Sequence, residues 1–307
     1  MTFARASNGK VYHLGLRPEE LSNDIIIVGD PERVPFIADE FFDTKEVDRS
    51  HRGLRSITGY VKETGQRVSV ITSGMGTPSL EIVLNEIVAL NEIDFNTMKR
   101  KSEYDMITII RVGTSGGIQQ DTELGTLIIT DYAVGLDNTG LFYNAPFYDE
   151  GCKMLEEKIR KTIDGVIPHG SRFKEKIFPY ATKAHNDVVK ALEREAQRSG
   201  TKYKLGITVS NSGFFANQGR VVSRVSLTVP EIDSVLASID TGIEGLRIEN
   251  MEMEASFLLH FMGALGYRAG VICPVIDNRR KGEFIPQYTQ YVMDATEIAL
   301  RTLYALG

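Results

Sequence analysis

Six short, almost unbroken apolar runs constrain this chain more than any other feature: residues 25–28, 68–71, 106–112, 127–130, 205–209 and 271–276. A strand with one wet face alternates apolar and polar residues. These runs do not, so each reads as a strand covered on both sides. Helical patterns lie between several of them. Residues 78–90 are a good case: Pro78 and Ser79 suit the amino end, and Leu80, Ile82, Val83, Ile87 and Leu90 supply one apolar face. Residues 186–196, 249–265 and 294–306 give further helical patterns. The simplest architecture is α/β, a single three-layer αβα domain over residues 1–307. The 10 prolines and 28 glycines are scattered rather than gathered into a linker. The polar stretch 91–103 fits either an insertion or a helix end.

Composition narrows the class. Hydrophobic residues make up 42%, charged residues 25%, and the net charge is -6, which describes an ordinary globular chain with no general attraction to nucleic acid or anionic membrane. No apolar stretch approaches membrane-spanning length, and the opening MTFARASNGKVYHLG holds no apolar signal core. Cys152 and Cys273 are the only cysteines and form no CxxC, so a reducing cytoplasm is the expected setting. The five histidines show no paired-ligand spacing, and no metal is expected.

Three of the strand candidates end in glycine. In IIRVGTSGGIQ (109–119) the strand delivers Arg111 and opens into Gly113, Thr114, Ser115, Gly116 and Gly117. Such a segment is either a tight structural exit or a nest of amides and hydroxyls for an anion, with Arg111 as a bidentate clamp. GDPERV (29–34) places Gly29 and Arg33 after another strand, and TSGMGTP (72–78) leads into the amino end of a helix. Ligands collect beyond the carboxyl ends of strands in open α/β sheets, so three such exits favour one anion cleft. The spacings match neither a Walker loop nor GxGxxG, which argues against a nucleoside triphosphate or a dinucleotide.

Other segments carry chemistry with alternatives left open. IENMEMEASFLLHF (248–261) reads as an apolar helix bearing Glu249, Glu252 and Glu254. Residues two apart on a helix do not share a face, so Glu252 and Glu254 cannot both enter one pocket if the segment is helical there. They are either an acidic first turn matched to the helix dipole or a hydroxyl-binding site. GFFANQGR (213–220) offers an aromatic cover for a flat ring, the amide Gln218 and the cation Arg220, or simply a core Phe pair beside a polar turn. Asp277 follows the 271–276 strand as either a base-site acid or acceptor, or a cap. An anion clamp, a hydroxyl-binding glutamate and a polar ring site together suit a ribonucleoside plus phosphate. No base-and-metal constellation for activating water is evident.

With these residues in view, the chain resembles the uridine phosphorylases of the uridine/purine nucleoside phosphorylase superfamily, from about Val11 to the end. The resemblance rests on VGDPERV, SHRG, SGMGTPS, RVGTSGGIQ, the FxxxQxR pattern from Phe214 to Arg220, and ENMEMEAS, all in the expected order. It implies a central mixed, partly barrel-like sheet and a pentosyltransferase: reversible phosphorolysis of uridine to uracil and ribose 1-phosphate in pyrimidine nucleoside salvage or catabolism. Inorganic phosphate is then a co-substrate and no cofactor is implied. On the same resemblance Gly29, Arg33, Arg111 and Thr114 bind phosphate, with Arg52 lent by a neighbouring subunit. Thr114, Met253 and Glu254 hold the ribose, and His13 reaches the neighbour's nucleoside. Phe214, Gln218 and Arg220 form the base site, with Arg220, Gln218, Arg111 and Glu254 as the catalytic set. The implied assembly is a homo-oligomer with shared active sites, at least a dimer.

Two residues depart from the pattern. Gly53 stands where many bacterial members have a glutamate at an intersubunit potassium ion, which weighs against that ion and the hexamer built around it, and leaves a dimer open. Asp277 falls where the purine nucleoside phosphorylases carry their catalytic aspartate. It opens the alternative of a purine or broad-specificity enzyme.

Overall fold

The structure, a computed structural model, describes residues 9–307. The apolar run 25–28 falls in β1 (Asp24–Val28), and β2 (Phe42–His51), β3 (Leu54–Val61) and β4 (Arg67–Thr72) follow along the chain. A two-residue hairpin, β5 (Ile93–Asp94) and β6 (Lys99–Arg100), stands apart from the main sheet. The remaining strands are β7 (Thr108–Val112), β8 (Ser115–Gly117), β9 (Leu127–Leu136), β10 (Tyr180–Lys183), β11 (Tyr203–Asn211), β12 (Ile248–Glu252), β13 (Arg268–Asn278) and β14 (Glu283–Phe284). The helices are α1 (Arg33–Phe41), α2 (Thr77–Glu92), α3 (Glu150–Val166), α4 (Asn186–Ser199), α5 (Ile232–Ala237), α6 (Ala255–Ala264) and α7 (Thr289–Leu306).

Strands β13, β7, β1 and β4 run parallel in that spatial order, with Ile25 opposite both Ile109 and Ser69. Ile25 to Val28 are fully buried, which accounts for the missing alternation in their sequence. Antiparallel β3 and β2 extend this side to an edge. Strand β2 is mostly exposed and carries Asp43, Lys45, Glu46, Asp48 and Arg49, charges that discourage a further strand from pairing there. Beyond β13 the order is β8, β12, β11, β9 and β10. Strand β9 also pairs with β13, through Ile129 and Ile272, so β9, β11, β12, β8 and β13 close into a ring. The sheet is therefore mixed and partly barrel-like.

Two apolar clusters result. The larger joins β1, β4, β7 and β13 to α1, α2, α4, α6 and α7. Within it α4 packs on α7, and α6 packs on α2. The smaller couples the barrel residues Val134, Ile207, Val209 and Met251 to Leu155, Ile159 and Ile163 of α3 and Ile232 and Leu236 of α5. Each fully buried Leu or Ile contributes about 1.5–3 kcal/mol against remaining exposed.

Several expectations need correction. The helix expected over 249–265 is two elements: β12 ends at Glu252 and α6 begins at Ala255. The carboxylates misled the periodicity because they are satisfied inside a sheet, not solvated on a helix face. Glu249 accepts from Thr122 and Arg247, and Asn250 bonds Ser115 and Thr208. In 91–103 the helix stops at Glu92 and the β5–β6 hairpin follows. The 127–130 run extends to Leu136, and the last helix begins at Thr289.

Candidate active site

Exits from β1, β4, β7 and β12, together with the end of β13, meet around one cavity of about 490 Å³. Gly29, Arg33, Arg111, Thr114, Phe214, Gln218, Arg220, Met253, Glu254 and Asp277 all line it. The cleft thus opens at the carboxyl edge of the parallel strands, where an α/β sheet presents its ligands.

At one end lies Arg111, buried on β7. Its Nε donates to Glu252 at 3.3 Å, and its Nη2 donates to Glu254. Burial works against its charge, but Glu254 and Glu252 outweigh that and hold the guanidinium firmly protonated. Its Nη1 is buried without a hydrogen-bond acceptor. That nitrogen lies against Gly113, where a Cβ would sit 2.8 Å from both Nη1 and Cys273 Sγ. Neither Gly113 nor Gly116 has a positive φ, and the glycines of this segment admit neighbouring side chains. Arg33, at the start of α1, stacks over Tyr288 at 5.6 Å and forms no ion pair among the described residues.

Glu252 and Glu254 do converge, because Glu252 ends a strand and Glu254 sits at the amino end of α6. Their roles differ. Glu252 accepts from the amides of Glu254 and Ala255 at 2.8 and 3.0 Å and from Ser210, so it caps the helix. Glu254 accepts only from the Gly76 amide and Arg111. Burial raises its pKa, Arg111 opposes the rise, and Glu252 adds to it. Gly76 reaches this position with a φ of 86°, a conformation suited to glycine.

The other end holds Phe214, Gln218, Arg220 and Asp277. Gln218 is only 4% exposed, and among the described residues its side-chain amide forms no hydrogen bond. Arg220 stacks on Phe214 at 4.2 Å and donates from Nη2 to Asp277 Oδ2 at 3.0 Å, while its Nε is buried without an acceptor.

His13 and Arg52 do not line this cavity. They form a separate exposed group with Tyr12 and His51. The His13 ring and backbone amide both bond Glu86 at 2.7 Å. Arg52 stacks on Tyr12 at 5.2 Å, and His51 contacts the His13 carbonyl. Residues overlooked in the sequence include Met75, Phe284 and Tyr288. The latter two lie in the turn-rich stretch after Asn278, where an aromatic side chain outside any apolar pattern was the only available signal.

The profile described as "Phosphorylase superfamily" matches residues 24–304. A uridine phosphorylase of Thermococcus kodakarensis is 29% identical over 91% of this chain and 82% of its own length. A DeoD-type purine nucleoside phosphorylase of Roseobacter denitrificans is 28% identical over 95% of this chain and 99% of its own. Among solved structures, a Trypanosoma brucei nucleoside phosphorylase reported to show uridine phosphorylase activity superposes with a TM-score of 0.86. It is 30% identical and covers 99% of this chain and 100% of its own.

Proposed function

The chain belongs to the phosphorylase superfamily, and from that premise we propose that it is a uridine phosphorylase, cleaving uridine with phosphate to uracil and ribose 1-phosphate, reversibly. One observation carries the reading. Each end of the same cavity holds a buried nitrogen with no acceptor among the described residues, Arg111 Nη1 at one and Arg220 Nε at the other, and the nearly buried Gln218 lines it too. A buried donor left unmade costs about 1–3 kcal/mol, which a ligand bridging the two ends returns.

The chemistry follows from that polarity. Phosphate sits between Arg33 and Arg111, beside Gly29 and Thr114. Glu254, with an accepting lone pair spare on each oxygen, takes the 2′ and 3′ hydroxyls, and Met253 packs against the ribose. As the glycosidic bond breaks, positive charge grows on the sugar and negative charge on the base. The phosphate dianion stabilises the first and attacks C1′. Arg220 and Gln218 stabilise the second, and Phe214 covers the ring. Preorganised donors of this kind are worth on the order of 3 kcal/mol each.

Arg52 and His13 fit this scheme as contributions to a neighbour's site, so the working unit is at least a homodimer of one catalytic unit per chain. No helix among the described residues is long and apolar enough to cross a membrane. The two cysteines are free and buried, which suits a reducing cytoplasm.

A second reading has its own observation. Asp277 lies at the base end of the cavity, where it would serve a purine. Base release from uridine and inosine, with and without phosphate, decides between them. The expected result is phosphate-dependent uracil with equimolar ribose 1-phosphate. Preferential hypoxanthine would transfer the assignment to purines, and base release without phosphate would overturn phosphorolysis.

A further inference from the structure

The scheme above gives Asp277 no task, yet its surroundings are specific. It lies on β13 just past a register break between Val275 and Asp277, opposite Gly116 of β8 and Phe284 of β14. A Cβ on Gly116 would stand 2.7 Å from Asp277 Oδ1, so only glycine leaves room for the carboxylate there. Its other oxygen accepts from Arg220. Arg220 itself comes from an irregular stretch behind the single turn Ala216–Gln218, with Gly219 at a φ of 71°. Within that stretch only the Phe214 ring packs on this long, flexible side chain, and no ion-pair partner there fixes it. The central strand supplies that partner from outside, through Asp277.

We infer that Asp277 is a positioning residue: it anchors Arg220 from the rigid sheet so that the free donors of the guanidinium meet the departing pyrimidine, and it does not protonate the base. This rests on the uridine reading. A site is precise when its groups are held by partners on regular elements, and Asp277 supplies to a loop arginine what its own element lacks. The charge balance is also reasonable. An unpaired carboxylate would repel a base acquiring negative charge, but this one is offset by the Arg220 guanidinium it pairs with at 3.0 Å.

The test is a double-mutant cycle on uridine phosphorolysis with Asp277→Leu, Asp277→Asn, Arg220→Ala and the combined variants, each checked for folding by thermal melting. Asp277→Leu should lower kcat/KM by roughly tenfold or more, mainly through kcat, since the charge it serves develops in the transition state. Asp277→Asn retains an accepting oxygen and should recover much of the loss. In the Arg220→Ala background either change should have less than about a twofold effect, because nothing is left to position. Should Asp277→Leu fail to fold, the isosteric Asp277→Asn still completes the cycle. Losses that multiply independently of Arg220, or full activity in Asp277→Leu, would overturn the inference. If Asn is as damaging as Leu in both backgrounds, Asp277 is an acid instead. The wild type reports separately on the parent reading: no phosphate-dependent uracil release would remove the substrate assignment itself, whatever the cycle shows.

Discussion

At Gly113 a hydrogen atom in place of a methyl group leaves room for the Arg111 guanidinium and Cys273. Alanine here would put its Cβ 2.8 Å from Arg111 Nη1 and Cys273 Sγ and 2.9 Å from Arg111 Cζ, contacts no side chain tolerates without movement. Overpacking of this kind costs about 1–3 kcal/mol, and the guanidinium held by Glu252 and Glu254 must shift to relieve it. Gly113→Ala should therefore raise the KM for phosphate about tenfold or more and lower the melting temperature. Adding Cys273→Ala should restore part of the stability but not the phosphate affinity, because only the sulfur contact is relieved. An unchanged phosphate KM would separate Gly113 from the anion site. The sequence made Arg111 and this glycine visible because a charge at the end of an apolar strand followed by glycine is rare without cause. It did not reveal why the glycine is needed. Close approach and positive φ leave the same mark in a sequence, and only the backbone angles distinguish them.

The join between β12 and α6 is where reading by element met its limit. Periodicity works when polar residues face water, whereas Glu249, Asn250 and Glu252 find their partners inside the sheet, so a buried strand imitates the start of an amphipathic helix. Parallel strands β1, β4, β7 and β13 were legible because burial on both faces leaves mostly aliphatic residues. Strand β2 was not, since the charged edge carries no such record, nor was β3, whose apolar residues are interrupted by Arg55, Ser56, Thr58 and Gly59. The corrected boundary assigns the neighbouring carboxylates different duties. Glu252 satisfies two amides at the start of α6 while also partnering Arg111, so Glu252→Ala removes a cap and one counter-charge of a buried cation. A loss of about 2–4 kcal/mol is expected in urea unfolding of the ligand-free protein. A loss below about 0.5 kcal/mol would mean that Glu254 and water replace it, and the capping role would fall.

At the scale of the molecule, part of the surface exposes large apolar side chains. Met75 and Phe142 are 82% and 83% exposed, and Leu141 and Phe147 are about half exposed. These residues and the Arg52 group are tied to the same helix: Tyr143 bonds Glu81 and Asn85 of α2, and His13 bonds Glu86 of α2. Met75, just before α2, lines the cavity. Both groups thus flank α2, and apolar exposure of this kind marks an interaction surface. In the proposed two-fold dimer this surface would meet its own copy and carry Arg52 of each subunit toward the other's cavity. Subunit mixing tests this directly. Homodimers of Arg52→Ala lack the lent cation at both sites, and homodimers of Arg220→Ala lack the base-site donor at both. Co-expressed equally, half of the dimers are mixed, and each mixed dimer rebuilds one intact site from the Arg52→Ala pocket and the Arg52 of its partner. Activity should rise from near background to about a quarter of wild type, as random pairing in a two-fold dimer requires. If the mixture shows only the average of its two parents, Arg52 serves its own subunit or none, and the exposed face must be covered by something other than a partner that completes the site.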